Sequence, residues 1–332
     1  MDKLMAPEKG NKVALVLGSG GARGYAHIGV IEVLEERGYE IISVAGCSMG
    51  ALIGGIYASG NLPAYRDWVC GLDYFDVLKL VDVTWNPMGA MRASKIMNKL
   101  ESLVGDVLIE DLPIPLTTVA TDLVRQREVW FQRGPLLRAI RASIAVPGVI
   151  TPVHLGDQVL VDGGLLNPLP MMPVEAAHAA DFVVAVNVTA HTPQPVMFED
   201  LLPDTDFPDS EAELEKMHPV EGWMNDAREA TKRLWEGLGG SDGGVVDKEE
   251  TPEDRSKREW SKLAMIFESF DVTQAALAKY KIASYSPDML IEIPKTVCGA
   301  YEFHRANELI RLGRHLTEQG LSRFIPKVKV TS

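Results

Sequence analysis

The pentapeptide Gly46-Cys47-Ser48-Met49-Gly50 stands between two stretches of different texture. Before it, Ile41 to Ala45 is a short apolar run of the kind that forms a buried strand. After it, Ala51 to Ile56 is a run of small and aliphatic residues that suits a helix. Strand, tight turn and helix around Gly-x-Ser-x-Gly is the context of a nucleophile elbow. The sharp turn lifts the Ser48 hydroxyl clear of the backbone, and Gly46 and Gly50 let strand and helix approach with no Cβ between them. A helix starting at Ser48 favours negative charge on that serine or its adduct. The same pentapeptide also arises by chance, so the elbow needs support from elsewhere in the chain.

A second strand–glycine–helix unit precedes it. Lys12 to Leu17 reads as the first strand, followed by Gly18-Ser19-Gly20-Gly21-Ala22-Arg23-Gly24, then apolar residues at helical spacing from Tyr25 to Arg37 and a stop at Gly38. Two such units in succession predict a parallel sheet with crossover helices. The glycine turn fits a dinucleotide fingerprint poorly, because Arg23 stands where the third glycine belongs, and it lacks the Gly-Lys-Ser/Thr of a P-loop. The remaining reading is an oxyanion hole, with backbone N–H groups at Gly20, Gly21 and Ala22 aimed at developing negative charge. Arg23 is expected to salt-bridge within the loop and hold its shape; a solvated helix start is the alternative.

Further along, Ser94 to Val104 predicts an amphipathic helix ending at Gly105. Leu116 to Asp122 and Glu128 to Phe131 alternate like strands, and Gly134 to Ala145 reads as a helix. Arg125, Arg127, Arg133, Arg138 and Arg141 cluster there, as an anion site or, in the plainer reading, a solvated face. Val159 to Val161 leads into Asp162-Gly163-Gly164, which is either a simple turn or a carboxylate presented at a sheet end. Asp181 to Val188 is the clearest central strand; a helix is expected over 256–284, a last strand at 289–293 and a last helix over 301–324.

Composition sets bounds. The 332 residues are 46% hydrophobic and 24% charged, ordinary for a globular chain, and the net charge of −13 argues against nucleic acid as a partner. Most of that charge lies in residues 190–256, with 18 acidic side chains against 6 basic. The three cysteines, Cys47, Cys70 and Cys298, are scattered and lack metal-ligand spacing, which suits a reducing compartment. No metal or cofactor motif is found. The uncharged run Ile41 to Tyr65 mimics a membrane span, but its glycines and the elbow mark it as a buried strand–helix unit. A cytoplasmic protein is expected, with peripheral membrane contact as a second option; the large apolar side chains of the stretch 61–91 read chiefly as core, the alternative being the lining of an acyl groove or a bilayer contact.

Taken in order, the glycine turn at 18–24, the elbow at 46–50 and Asp162-Gly163-Gly164 resemble the signature of patatin-like phospholipases. The resemblance is closest to the bacterial branch of RssA-type proteins, related to the catalytic domain of neuropathy target esterase. Arg141-Ala142-Ser143, Val146-Pro147-Gly148 and Phe303-His304-Arg305-Ala306 extend it across most of the chain. The resemblance implies a three-layer α/β fold with a central, mainly parallel sheet flanked by helices, plus a C-terminal helical extension. It implies a Ser48–Asp162 dyad without a catalytic histidine, and an oxyanion hole around Gly20, Gly21, Ala22 and Arg23. Ser19 stands where many relatives have glycine. It further implies a serine hydrolase of lipid or other acyl esters that needs no cofactor. The expected organisation is a flexible 1–11, a catalytic core 12–190, an acidic insertion 191–256 that could act as a lid, and C-terminal helices 257–332; a homodimer is compatible with it.

Other readings stay open at this stage. His178, His191, His218, His304 and His315 follow Asp162, so a Ser-His-Asp hydrolase has the residues it needs in the right chain order. An acyltransferase would use the same nucleophile, and a regulatory module would keep the fold without turnover.

Overall fold

The computed structural model describes residues 11–80, 83–86, 89–175, 180–192, 196–202 and 262–324. The chain divides into two compact units, Met1–Phe198 with Thr273–Ser332, and Glu199–Val272. The expected N-terminal segment and most of the acidic insertion lie outside the described residues.

In chain order the elements are β1 (Lys12–Leu17), α1 (Ala26–Glu36), β2 (Glu40–Cys47), α2 (Met49–Ala58), α3 (Leu62–Cys70), α4 (Tyr74–Leu80), β3 (Val83–Asn86), β4 (Gly89–Met91) and α5 (Ser94–Val104). There follow β5 (Leu116–Asp122), β6 (Arg127–Phe131), α6 (Leu136–Ser143), β7 (Gly148–Ile150), β8 (Val153–Leu155), β9 (Gln158–Asp162) and α7 (Met172–Glu175). The last are β10 (Phe182–Ala190), α8 (Phe198–Leu201), α9 (Lys262–Ser284), β11 (Met289–Pro294) and α10 (Ala306–Arg323).

The main sheet is 8-stranded in the order β11-β10-β1-β2-β5-β9-β8, with β6 also paired to β5. From β11 to β5 every pairing is parallel; β6, β9 and β8 run antiparallel to their neighbours. Strand β1 is buried beyond its first residue and β2 from Val44 to Cys47, as a parallel sheet covered on both faces requires. On one face, Gly54 of α2 sits against Val44, Leu17 and Leu116. The opposite face carries a core of Ala14, Val16, Ala45 and Ala185, covered by Leu169, Met171, Val174 and Ala278 of α9. Helix α1 lies directly on α10: a Cβ on Gly29 would come within 2.0 Å of the Ile310 carbonyl, and one on Gly313 within 2.1 Å of that of Ala26. Arg314 bonds to Glu32 and Glu36 across the same contact.

The mainly parallel α/β expectation therefore holds, with three departures. The helix predicted from Gly134 begins at Leu136, because Gly134 takes φ 92° and Pro135 is extended. The last helix begins at Ala306 after a 3-10 turn at Phe303–Arg305. A three-stranded sheet, β3-β4-β7, has no counterpart in the sequence pattern. The uncharged run Ile41 to Tyr65 is divided among β2, the elbow, α2 and α3, and among the described residues no helix is long and apolar enough to cross a membrane.

Candidate active site

Ser48 links the end of β2 to the start of α2, as the N-cap residue of that helix and not its first turn, with φ 54° and ψ −119°. A non-glycine residue at positive φ is held there against its own preference. The elbow closes because two backbones touch: a Cβ on Gly50 would lie 2.1 Å from the Leu17 carbonyl oxygen, and one on Gly46 would lie 2.3 Å from that of Gly50.

Asp162 arrives by a different route. Strand β5 pairs Val119 with Cys47 and the next residue, Ala120, with Asp162. Adjacent positions of one strand thus bring the residue before Ser48 and the carboxylate together, although 114 positions separate Ser48 from Asp162 in sequence. The Ser48 Oγ–H donates to Asp162 Oδ2 at 2.5 Å, and the Gly164 amide donates to Oδ1 at 2.7 Å. Ser48 is 6% exposed and Asp162 fully buried. Burial pushes the Asp162 carboxyl up to about 7, against the opposing pull of those two hydrogen bonds. Gly163 fits beneath the Val119 carbonyl, where a Cβ would come within 2.2 Å.

The glycine turn follows β1 at the same end of the sheet. Its amides are not equivalent. Gly18 N–H bonds to Val186, Ser19 N–H to Pro168, and Ala22 N–H donates to the Ala300 carbonyl at 2.8 Å. That last bond corrects the expectation for Ala22: its amide is committed to the C-terminal segment and does not face the turn's open side. Among the described residues, the Gly20 and Gly21 amides do not take part in the backbone bonds that tie this turn to other segments. Gly21 has φ 60°, and a Cβ there would sit 2.3 Å from the Ala300 oxygen.

Arg23 is buried, not solvated. Its Nε donates to the Gly20 carbonyl at 3.1 Å and its Nη1 to that of Lys295 at 3.2 Å. The structure thus gives Arg23 carbonyl partners in its role of holding the loop. In a planar trans peptide, C=O and the following N–H point opposite ways, so fixing the Gly20 carbonyl turns the Gly21 N–H away from Arg23.

Two contributors carry no clear mark in the sequence. His27, buried on α1, donates from Nε2 to the Gly18 carbonyl at 2.8 Å; burial lowers its pKa to about 4, so the ring is neutral. Its only signal is position, three residues beyond the glycine turn. The other is Ser143, known from the sequence only as part of Arg141-Ala142-Ser143. Its Oγ accepts from the Ser48 backbone N–H at 2.9 Å.

Among the described residues, no histidine hydrogen-bonds to Ser48 or Asp162. His304 stacks edge-on against Tyr74, and His315 contacts Gln319. His191 is exposed, while His178 and His218 lie outside the described residues. The arginines do not all share one face: Arg125 pairs with Asp122 and Asp157, while Arg141 reaches Thr151.

The end of a mainly parallel sheet thus carries an elbow serine hydrogen-bonded to a buried carboxylate. The patatin-like phospholipase profile matches residues 15–175. An uncharacterized NTE family protein of Mycobacterium tuberculosis is 40% identical over 348 residues, covering 94% of this chain and 92% of its own length. Neuropathy target esterase of Drosophila melanogaster is 36% identical over 190 residues, 54% of this chain and 13% of that protein. The crystal structure of VipD from Legionella pneumophila superposes with a TM-score of 0.40 at 15% identity, over 95% of this chain and 68% of that one. The chain belongs to the patatin-like phospholipase family, in its NTE branch.

Proposed function

We propose that the protein is a serine acyl hydrolase of lipid esters, working through Ser48 and Asp162 without a histidine. The observation that carries this reading is the 2.5 Å hydrogen bond from Ser48 Oγ to a fully buried carboxylate. An ordinary aspartate near pKa ~3.9 is a weak base towards an alcohol. Asp162, raised to about 7, is matched to proton transfer near neutral pH.

Ser48 Oγ attacks the ester carbonyl carbon while Asp162 Oδ2 takes its proton. The carbonyl oxygen becomes an oxyanion, received by the Gly20 and Gly21 amides with the N-terminus of α2 nearby. Collapse of the tetrahedral adduct breaks the bond to the leaving alcohol, which takes the proton from Asp162, and leaves acyl-Ser48. Water, deprotonated by Asp162, then attacks the acyl carbon; collapse of that adduct breaks the bond to Ser48 Oγ, which takes the proton back from Asp162 as the fatty acid leaves. Arg23 and His27 act on the oxyanion loop through the Gly20 and Gly18 carbonyls.

A lipid substrate lies at a surface, and transient peripheral contact with it belongs to this reading. Leu123 and Val124, 44% and 60% exposed, form the turn beyond β5, at the sheet end where Ser48 stands.

The test is labelling with a fluorophosphonate, followed by turnover of short- and long-chain esters and lysophospholipids. Wild-type protein should be modified at Ser48 and turn over at least one ester class. Ser48→Ala and Asp162→Asn should lose both properties with the fold kept. Retention of more than a few per cent of activity by either variant refutes the dyad.

A further inference from the structure

Ser143 is the last residue of α6 and is fully buried. Its Oγ accepts from the Ser48 amide at 2.9 Å and donates to the Val119 carbonyl at 2.6 Å. An amide N–H can only donate and a carbonyl can only accept, so the direction of this hydroxyl is fixed by its partners. The Ser48 N–H precedes the first turn of α2 and has no acceptor within that helix. Ser143 supplies one.

The segment after α6 also holds the other half of the site. The Asp162 amide donates to the Ala145 carbonyl at 2.9 Å. Val119, whose carbonyl accepts the hydrogen bond from Ser143, pairs with Cys47, and that carbonyl roofs Gly163. One short stretch, 143–145, therefore grips the backbone of both Ser48 and Asp162, each by a hydrogen bond. Ser48 needs such a grip, because its φ of 54° is one that an L-residue keeps only under restraint.

We propose that Ser143 is a positioning residue: its hydroxyl holds the nucleophile elbow in register with Asp162, and so sets the rate of acyl transfer. This inference rests on the serine hydrolase reading above. Side-chain displacements near 1 Å at such a site lower rates by about 10²-fold, which gives the scale of the effect.

The experiment compares Ser143→Ala, the near-isosteric Ser143→Cys, and Ser143→Thr, which keeps the hydroxyl. Active sites are counted by fluorophosphonate titration taken to completion, so that kcat is expressed per site. Expected are falls in per-site kcat of about 10- to 100-fold for Ala and Cys, with KM within about twofold, and recovery of most of the loss in Thr. A role confined to stability would lower the number of titratable sites or Tm and leave per-site kcat unchanged; that result for Ala and Cys overturns the inference. Wild-type protein that neither labels at Ser48 nor cleaves any ester overturns instead the hydrolase reading on which it rests.

Discussion

Replacing Asp162 by Asn should stabilise the protein at neutral pH while removing its activity. The carboxyl is raised from 3.8 to about 7 by burial. In the unfolded chain it ionises near its ordinary value, so between these two pH values the native state binds more protons than the unfolded state. The raised pKa therefore contributes stability fully below about pH 4, and that contribution is lost as pH rises through 7. Converted at 1.36 kcal/mol per unit, the loss is about 4 kcal/mol. The amide introduced by Asp162→Asn does not titrate and escapes this loss. Its carbonyl still accepts from the Gly164 amide, whereas the Ser48 hydroxyl loses its acceptor, a pH-independent penalty of about 1 kcal/mol. The variant should be slightly less stable than wild type at pH 4 and about 3 kcal/mol more stable at pH 8. Urea unfolding of both proteins at unit steps from pH 4 to 8 measures the difference directly. A stability difference that does not change with pH would show that this carboxyl is not strained by its burial, and would remove the physical basis for Asp162 as a base.

The same displacement sets the pH–rate profile. With Asp162 at about 7, kcat/KM should fall roughly tenfold per unit on the acid side of neutrality, and a profile flat down to pH 5 would contradict the assignment. The elbow should show its restraint in stability: Ser48→Gly is expected to exceed Ser48→Ala by about 1–3 kcal/mol in chemical denaturation, since only glycine is at ease at φ 54°. In the glycine turn, Gly21→Ala sets a methyl 2.3 Å from the Ala300 oxygen and should lower kcat by about 10²–10³. Gly105→Ala, at a similar φ of 75° but with open space around it, serves as the control and should leave kcat unchanged.

Much of the architecture was legible in residue order because its signals are local. The limits of β1, α5 and β5 follow from apolar runs bounded by glycine or turn residues, and Gly105 ends α5 as expected. The glycine-framed elbow likewise advertised Ser48. Other features depend on contacts between distant segments and leave little local trace. Nothing near Ala22 shows that its amide is taken by Ala300, some 280 positions away, and nothing in Arg141-Ala142-Ser143 shows that the serine reaches Ser48. His27 reads as one more residue on an apolar helix face until its ring is seen on Gly18. The short strands β3, β4 and β7 carry too few residues for a two-residue period to stand out.

The sheet order has a consequence for where the functional unit ends. The family profile stops at 175, yet β1, which delivers the glycine turn, is flanked on one side by β10, and β10 in turn by β11. Lys295 and Ala300, just past β11, supply the carbonyls that tie down Arg23 and Ala22. A fragment truncated after the three motifs would leave β1 as a border strand paired with β2 alone, and its loop without those two tethers. The machinery is non-contiguous: the opening residues of the fold are completed by its closing ones, across whatever the intervening chain does.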